Sequence, residues 1–297
     1  MAIGNFDGVH IGHKAIVTKL LERARGVSGP AVVFTFDPHP VRLLRPEQSP
    51  PPLTWTERKA ELLAAIGVDW VIAYPTDEAL LRLSARAFFY RIVRNSLQAR
   101  AMVEGPNFYF GHNREGTIDL LRRFVDEAGM TLDIVEPVAA GGGMVSSSRV
   151  RRLILDDGAV GPAREMLSAP YRVRGIVTHG AGRGAKIGFP TANLEGVDTL
   201  RPAHGVYAAL ALLDGGRLPA AVHVGPNPTF GDDASKIEVH VVDYDRPLYG
   251  KALEVDFLDR LREIRPFASV DELVAQLRRD VAEAQGIGRR CLDAEAR

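Results

Sequence analysis

The chain is poor in cysteine, and this limits the chemistry that it can perform. Its 297 residues include a single cysteine, Cys291, so no intrachain disulfide can form and no cysteine cluster can hold zinc. This usage is typical of proteins in a reducing compartment, and we expect a cytoplasmic protein. Cys291 lies in a polar C-terminal stretch, where we expect a solvent-exposed thiol without a function.

The sequence also lacks an excess of charge and a long apolar run. The 37 Lys and Arg residues balance the 37 Asp and Glu residues, which argues against a general nucleic-acid or membrane binder. No apolar run approaches the roughly 18 residues of a membrane span. Residues 1–7 have neither the basic nor the apolar segment of a signal peptide. We expect no nucleic-acid partner and no membrane, and no obligate protein partner is evident.

The first half of the chain alternates between short apolar runs and helical patterns. The predicted strands cover residues 32–36, 71–74, 101–103 and 132–135, and the predicted helices cover residues 14–25, 56–66, 85–97 and 117–128. Strands that alternate with helices predict a parallel sheet covered on both faces. Such α/β sheets bind ligands at the carboxyl ends of their strands.

The pattern changes near residue 158, where a linker with one short helix begins. The predicted strands beyond it cover residues 171–178, 206–213, 220–224, 237–242 and 252–257. One strong helix follows at residues 269–284, with Ser269 as N-cap and Glu272 completing a capping box. Short strands followed by a terminal helix predict a small antiparallel β-barrel with a C-terminal helix packed on it. We therefore expect two domains, at residues 1–157 and 171–285.

A glycine-rich segment with two histidines opens the first domain. Residues 4–13 read Gly-Asn-Phe-Asp-Gly-Val-His-Ile-Gly-His and precede a predicted helix. Glycines let a backbone approach a ligand closely, and a helix start favours phosphate through free N–H groups and the helix dipole. His10 and His13 can face one site there and donate hydrogen bonds during phosphate transfer. The alternatives are a pair of surface histidines and a zinc-binding pair, although no third ligand has a matching position.

Four segments in order resemble the bifunctional bacterial riboflavin kinase/FAD synthetase family of the nucleotidylyl transferase superfamily. They are the HxGH motif at residues 10–13 with its preceding Phe-Asp-Gly, and residues 34–40, 105–116 and 145–151. The resemblance implies a Rossmann-like α/β domain that transfers AMP from ATP to FMN and releases pyrophosphate. It makes His10 and His13 catalytic. It implies ATP or phosphate binding by Gly4, Phe6, Asp7 and Gly12.

The segment at residues 145–151 also has a physical logic of its own. Ser147 and Ser148 stand at a predicted helix start, where hydroxyls cap the helix and bind phosphate oxygens. Arg151 can make a bidentate contact to a phosphate. Without the resemblance, an ordinary N-cap with surface arginines would explain these residues. In the preceding segment, the resemblance implies flavin or adenylate contacts by Asn107, Phe110 and Arg114.

A second glycine-rich loop lies in the second domain. Residues 188–193 read Gly-Phe-Pro-Thr-Ala-Asn and resemble the riboflavin kinase signature. The hydroxyl of Thr191 and the amide oxygen of Asn193 are hard ligands suited to Mg²⁺ bound with ATP. The resemblance implies ATP binding by Gly188, Pro190 and Thr191, with Mg²⁺ held by Thr191 and Asn193. Without the resemblance, a polar turn of the barrel would explain this segment.

A carboxylate on a predicted strand completes the second candidate site. Residues 237–240 read Ile-Glu-Val-His, and Glu238 and His240 share a face because side chains alternate along a strand. The resemblance makes Glu238 the general base for the riboflavin hydroxyl, whereas a lone strand Glu is otherwise usually solvent-exposed. Further segments match the family in order at residues 205–207, 228–230, 248–250 and 262–269.

The sequence departs from the family pattern at a few positions. Ser148 replaces the usual threonine, residues 184–186 read Gly-Ala-Lys where Gly-Arg-Thr is common, and His223 stands where asparagine is common. The chain also begins at its first predicted strand, and we expect the native start to lie upstream.

Together these features predict a two-domain enzyme whose substrates are riboflavin, FMN and ATP, with Mg²⁺ as the cofactor of ATP. The barrel would phosphorylate riboflavin to FMN, and the first domain would convert FMN to FAD. One alternative is a relative in which a single domain is active, and another is a flavin-binding regulator or carrier without turnover. A nucleic-acid enzyme is a weaker alternative, which rests on the HxGH motif of aminoacyl-tRNA synthetases.

Overall fold

The computed structural model describes residues 1–180, 182–227, 229 and 232–296, and the chain divides into two units. Unit 1 comprises Met1–Pro50 and Thr54–Ser146, and unit 2 comprises Pro51–Leu53 and Ser147–Arg297. The division falls ahead of residue 157, where the sequence predicts the end of the first domain. The helix that starts at Ser147 therefore belongs to unit 2.

Strands and helices alternate along unit 1, as the sequence predicts. The strands are β1 (Ala2–Ile3), β2 (Val32–Asp37), β3 (Trp70–Pro75), β4 (Ala101–Glu104), β5 (Thr131–Ile134), β6 (Ala139–Ala140) and β7 (Gly143–Met144). The helices are α1 (Ile11–Gly26), α2 (Pro40–Leu44), α3 (Thr56–Ala65), α4 (Glu78–Leu81), α5 (Ala85–Phe88) and α6 (Ile118–Glu127). Two short 3₁₀ turns cover Pro46–Gln48 and His112–Arg114, and a π-helix covers Phe89–Ser96. The helix predicted over residues 85–97 is thus divided into α5 and the π-helix.

Strands β1 to β5 of unit 1 run in parallel, whereas β6 and β7 form a separate antiparallel pair. β1 pairs with β2, β2 pairs with β3, and β4 pairs with β5. The backbone N–H of Val103 donates to the carbonyl of Met1 at 3.0 Å and connects β4 to β1, so the strand order is β3-β2-β1-β4-β5. The order reverses between β1 and β4, and parallel α/β sheets bind ligands beyond the carboxyl ends of the strands at such a reversal.

The core of unit 1 is formed where helices cover this sheet. Phe34 on β2, Met102 on β4, Phe89 in the π-helix and Leu121 on α6 are among its fully buried side chains. Each such side chain stabilises the fold by about 1.5–3 kcal/mol through removal of apolar surface from water. All four residues of β4 are buried. The first three are apolar, as is typical of a strand covered on both faces, and the fourth is the buried Glu104.

Unit 2 is a closed antiparallel barrel with flanking helices, which confirms the predicted fold class. Its elements are α7 (Ser147–Leu155), α8 (Val160–Met166), β8 (Tyr171–Thr178), α9 (Arg183–Lys186), β9 (Ala192–Glu195), β10 (Gly205–Leu213), β11 (Gly216–Asn227), β12 (Asp232–Val241), β13 (Ala252–Arg262) and α10 (Val270–Glu295). The strands close in the order β10-β11-β12-β9-β8-β13. Strand β9 was not predicted, because its four residues follow a glycine-rich loop and read as part of a turn.

The C-terminal helix α10 packs one face on the barrel. Its buried residues are Leu273, Asp280, Ala284, Gly288 and Cys291, and this spacing is that of one helical face. Ser269 caps the helix by accepting a hydrogen bond from the N–H of Glu272 at 3.2 Å. In the part of the chain that the structure describes, no helix is both long enough and apolar enough to cross a membrane.

The expectation of an exposed Cys291 was wrong. Helix α10 continues well beyond the predicted end at residue 284, and Cys291 lies one turn after Gly288 on its buried face. The thiol packs against Leu210 and Leu258 of the barrel. The sequence concealed this, because many charged residues surround Cys291 and only its spacing from the other buried positions marks the apolar face.

Two glycines of α10 make the packing of this helix testable. A Cβ on Gly288 would lie 2.9 Å from the ring of Pro219, whereas a Cβ on Gly286 would meet only the end of Arg290 at 3.5 Å. Gly286→Ala should stabilise the protein by up to about 1 kcal/mol through helix propensity. Gly288→Ala gains the same propensity but overpacks the interface, so we expect it to be less stable than Gly286→Ala by about 1–3 kcal/mol. Urea titration of both variants would measure the difference, and equal stabilities would contradict the close contact.

Candidate active sites

The loop between β1 and α1 holds the two predicted histidines at a helix start. His10 is the N-cap of α1, and its Nδ1 accepts a hydrogen bond from the N–H of His13 at 3.2 Å. This bond leaves the proton of a neutral His10 on Nε2, which is then a hydrogen-bond donor. The two imidazole rings are stacked, with centroids 3.6 Å apart and planes at 13°. The structure therefore brings His10 and His13 together.

Both imidazoles are held in the neutral form. Burial lowers the pKa of His10 to about 4, and this is only partly opposed by a backbone hydrogen bond and by Asp7. Burial also lowers the pKa of His13 well below its usual value, and the neighbouring His10 and Lys59 lower it further. Neutral imidazoles can donate hydrogen bonds to a phosphate but bring no net positive charge to it.

Glycines and a phenylalanine shape the space around the two rings. A Cβ on Gly12 would lie 3.1 Å from the imidazole of His10, and a Cβ on Gly4 would lie 3.2 Å from the ring of Phe6. Phe6 is buried, with a left-handed φ of 45°, and its ring centroid lies 5.0 Å from that of His13. The side chain of Phe6 therefore packs on His13. The ATP contact expected of Phe6 would come from the backbone of Phe6.

Asp7 fixes the shape of the same loop. Its Oδ1 accepts hydrogen bonds from the N–H of Thr54 at 3.0 Å and from the Thr54 hydroxyl at 3.1 Å. The same hydroxyl accepts a hydrogen bond from the N–H of Gly8 at 3.2 Å. Asp7 is buried. Through these hydrogen bonds its carboxylate connects the loop after β1 to the segment before α3.

Lys59 is a residue of this site that the sequence analysis missed. Its side chain is 7% exposed, and its Nζ donates a hydrogen bond to the hydroxyl of Thr35 on β2 at 3.3 Å. A lysine in a polar helix is usually interpreted as a solvated residue. The signal that could have identified it is its spacing from Leu62 and Leu63, because these three residues form the buried face of α3.

The loop after β4 places its three predicted contacts in different surroundings. Asn107 is exposed, and the guanidinium of Arg114 lies 4.4 Å from the ring centre of Tyr109. Phe110 is buried in the aromatic core of unit 1, and its backbone pairs with Gly116. The flavin or adenylate contact expected of Phe110 stays a prediction, for a residue whose ring is largely packed in the core.

The predicted phosphate-binding residues of the segment at residues 145–151 lie in unit 2. Ser147 opens helix α7, followed by Ser148, which is exposed, and by Arg151. The Nε of Arg151 donates to the carbonyl of Pro51 at 3.3 Å, and both residues belong to unit 2. The residues expected to bind ATP phosphates are thus distributed between the two units.

The barrel has a pocket around Glu238. On β12, Glu238 lies opposite His223 of β11 and Asn193 of β9. Its Oε2 accepts a hydrogen bond from the side-chain amide of Asn227 at 3.1 Å. His240 lines the same pocket, as alternation along a strand predicts. Burial lowers the pKa of His223, although Glu238 opposes this.

The glycine-rich loop before β9 borders this pocket. A Cβ on Gly180 would overlap the side-chain amide of Asn193, so only glycine fits there. Gly188 has a φ of 90°, which side chains rarely tolerate. A ring nitrogen of His240 lies 2.8 Å from the carbonyl oxygen of Pro190 and connects the turn to β12. Ala181 of this loop, and Pro228 and Phe230 of the matching segment 228–230, lie outside the described residues.

The polar side chains of the pocket fit a hard divalent cation. Thr191, Asn193 and Glu238 line it together and offer a hydroxyl, an amide oxygen and a carboxylate. Within the described ranges, no group of three or more His, Cys, Asp or Glu could hold a metal ion. Oxygen ligands of this kind suit Mg²⁺, which takes further ligands from water and substrate phosphates.

Comparison with known proteins identifies both units. Residues 1–149 match the family model described as FAD synthetase, and residues 167–287 match the model described as riboflavin kinase. The bifunctional riboflavin kinase/FMN adenylyltransferase of Escherichia coli strain K12 is 35% identical over 286 residues, which cover 96% of this chain and 91% of that protein. The chain belongs to the bifunctional riboflavin kinase/FMN adenylyltransferase family. The protein of the same name from Bacillus subtilis strain 168 is 33% identical over 293 residues, which cover 96% of this chain and 90% of that protein.

A solved structure shares the fold of this family member. It is a crystal structure described as a macrolide-efflux protein from Streptococcus pneumoniae, with a TM-score of 0.84 and 32% identity, and the match covers 96% of this chain and 92% of that chain. Within this chain, the FAD synthetase match includes His10 and His13, and the riboflavin kinase match includes the pocket around Glu238.

The burial of His10 gives a prediction for its titration. We expect a midpoint near pH 4 in the NMR titration of its ring, assigned by comparison with His10→Asn, because burial disfavours the charged form. The folded-state pKa is below the unfolded value of 6.5, so the unfolded chain binds more protons between these pH values. The free energy of unfolding should therefore fall as the pH drops from 6.5 towards 4, and less steeply in His10→Asn. A midpoint near 6.5 would contradict the buried, neutral imidazole.

Proposed function

We propose that His10 and His13 carry the adenylyl transfer, and Glu238 the phosphoryl transfer, of a bifunctional enzyme. The enzyme makes FMN from riboflavin and ATP, and makes FAD from FMN and ATP with release of pyrophosphate. We assign the adenylyl transfer to residues 1–157 and the kinase reaction to residues 171–285. The observation that carries the proposal is the stacked, neutral pair of imidazoles at the start of α1.

In the adenylyl transfer, a phosphate oxygen of FMN attacks the α-phosphorus of ATP. The new O–P bond forms as the bond to the β-phosphate oxygen breaks, and pyrophosphate leaves. The Nε2–H of His10 and a ring N–H of His13 stabilise the charge that develops on the phosphate oxygens, together with the free N–H groups at the start of α1. No covalent enzyme intermediate is needed, since positioning and charge stabilisation suffice.

Residues outside the histidine pair would bind the two nucleotides. In this proposal Gly4, Gly12 and the backbone of Phe6 leave room for ATP in a loop that Asp7 holds in shape. The hydroxyls of Ser147 and Ser148 and the guanidinium of Arg151 bind phosphate oxygens. Contacts to flavin or adenylate come from Asn107 and Arg114, while Phe110 holds their loop on the core.

In the kinase reaction, Glu238 accepts the proton of the primary hydroxyl of riboflavin. The hydroxyl oxygen attacks the γ-phosphorus of ATP, and ADP leaves. The hydrogen bond from Asn227 orients the carboxylate of Glu238, which a general base needs for proton transfer. Gly188, Pro190 and Thr191 would bind the phosphates of ATP.

We propose Mg²⁺ as the cation that accompanies ATP, held by Thr191 and Asn193. When bound, it neutralises charge on the phosphates. The substrates are small molecules, with no nucleic-acid, membrane or protein partner required. A cytoplasmic location stays a prediction that rests on the single cysteine.

Product analysis tests the proposal directly. The protein is incubated with riboflavin, ATP and Mg²⁺, and flavins are separated by chromatography over time. We expect FMN to appear first and FAD to follow. FMN alone, or FAD only from supplied FMN, would indicate a relative with one active domain, and the absence of any product would indicate a flavin-binding regulator.

Loss of one imidazole should affect one reaction only. His13→Ala removes a hydrogen-bond donor to the transferring phosphate, so FAD formation from FMN should slow roughly 10²–10³-fold. FMN formation from riboflavin should change little, and it serves as the internal control. Equal loss of both activities in a variant with an intact circular dichroism spectrum would reject the assignment.

A carboxamide at position 238 tests the kinase half. Glu238→Gln keeps the size of the side chain but cannot accept a proton, so FMN formation should fall about 10²–10⁴-fold while riboflavin still binds. Conversion of supplied FMN to FAD should remain near the wild-type rate. Glu195→Gln, at an exposed position on β9, is the matched control. A kinase rate within about threefold of wild type would mean that Glu238 is not the base.

A further inference from the structure

Lys59, on α3, is buried but makes few polar contacts for a charged side chain. Lys59 is 7% exposed. An ammonium group has three N–H donors, and within the described residues its single hydrogen-bond partner is the hydroxyl of Thr35 at 3.3 Å. Burial lowers the pKa of Lys59, and the carboxylates of Asp7 and Asp37 oppose this from a distance. Among those residues, none offers a carboxylate close enough for an ion pair with its Nζ.

The nearby polar groups are already committed to other contacts. The Thr35 hydroxyl donates its own hydrogen to the carbonyl of Asn5 at 3.2 Å. Oδ1 of Asp7 accepts two hydrogen bonds from Thr54, and Oδ2 of Asp37 accepts one from Thr56 at 2.7 Å. A buried charge without an ion-pair partner destabilises a fold, and an apolar side chain of similar size is often neutral or better.

This charge is located at the candidate adenylyl-transfer site. Thr35 lies near the carboxyl end of β2, and Asn5 follows β1 in the histidine loop. The charge of Lys59 also contributes to the lowered pKa of His13. A second polar atom there, the Nδ1 of His13, is buried without a hydrogen-bond partner. Since neither imidazole supplies positive charge at neutral pH, a cation on another residue beside them would add charge compensation for a phosphate bound there.

We propose that Lys59 supplies the buried positive charge that compensates a substrate phosphate during adenylyl transfer. The inference rests on the proposed function, because it assumes that phosphate binds at His10 and His13. The phosphate belongs either to ATP or to FMN. Among the described residues the ammonium has no ion-pair partner, and in this proposal the bound phosphate provides one. The unpaired charge lowers the stability of the free protein and raises the affinity for the phosphate.

The test uses Lys59→Met and Lys59→Arg in the full chain. Methionine keeps the apolar stem and removes the charge, so kcat/KM for FAD formation should fall about 10²–10³-fold. The melting temperature of the ligand-free protein should stay equal or rise, because an unpaired buried charge has been removed. Arginine keeps the charge and should retain more activity than methionine. Lys19→Met, which removes a half-exposed lysine of α1 that forms a surface ion pair with Glu22, is the matched control and should keep wild-type FAD formation.

Two series of assays identify the phosphate concerned. In one, ATP is varied at saturating FMN, and in the other FMN is varied at saturating ATP. A rise in KM for one substrate alone assigns the charge to the phosphate of that substrate. A loss confined to kcat supports compensation of charge in the transition state. Riboflavin phosphorylation by the same preparations should stay within about threefold of wild type.

Several results would overturn the inference. FAD formation by Lys59→Met within about threefold of wild type would show that the charge is not needed. A lowered melting temperature in Lys59→Met, with Lys59→Arg no more active, would show a structural lysine. If Lys59→Met does not fold, Lys59→Arg decides, because a folded arginine variant without FAD formation contradicts a role for charge. Absence of FAD formation in wild type itself would instead reject the proposed function.

Discussion

The hydrogen bond between the backbone of His13 and Nδ1 of His10 organises the adenylyltransferase unit. It caps α1, and it also fixes the tautomer of His10, so a single interaction connects helix formation to the protonation of a side chain that we propose to be catalytic. Burial adds the second constraint, since it keeps both rings neutral. The small side chains of the loop follow from these constraints, because a Cβ at Gly12 would press on the ring of His10.

In the barrel, the candidate site depends on a carboxylate that lies beside a glycine-rich loop. The short strand β9 places it there by joining β8 to β12, which sets Asn193 opposite Glu238. The same pairing closes the barrel, with β9 between β8 and β12. On the proposed roles, the adenylyl transfer uses a helix start in the first unit, and the kinase reaction uses neighbouring strands in the second.

Sequence patterns predicted the fold wherever burial follows a regular period. The longer strands of both units and the start of α10 are such cases, because alternation and capping are local properties of the chain. The HxGH spacing predicted that His10 and His13 meet, and the E-x-H spacing predicted that Glu238 and His240 share a face. The pattern failed where tertiary contacts decide the environment. Cys291 is the example, because it lies in a charged stretch but faces the barrel.

Lys59 was missed for a related reason, since residue type does not indicate a buried charge that has no ion-pair partner among the described residues. Its helical spacing from Leu62 and Leu63 assigns it to the buried face, yet a sequence pattern cannot say why a lysine is kept there. A residue retained against its own solvation energy points to a ligand more directly than to the fold.

The membership of α7 in the barrel unit has a consequence for how the two activities could be separated in a gene. The structural boundary falls between Ser146 and Ser147, whereas the proposed phosphate contacts of the adenylyl transfer continue through Arg151. A fragment cut at the structural boundary would keep the paired imidazoles and lose the serines and the arginine. On the proposed roles, a shortened gene for a monofunctional adenylyltransferase must therefore extend into sequence that folds with the kinase.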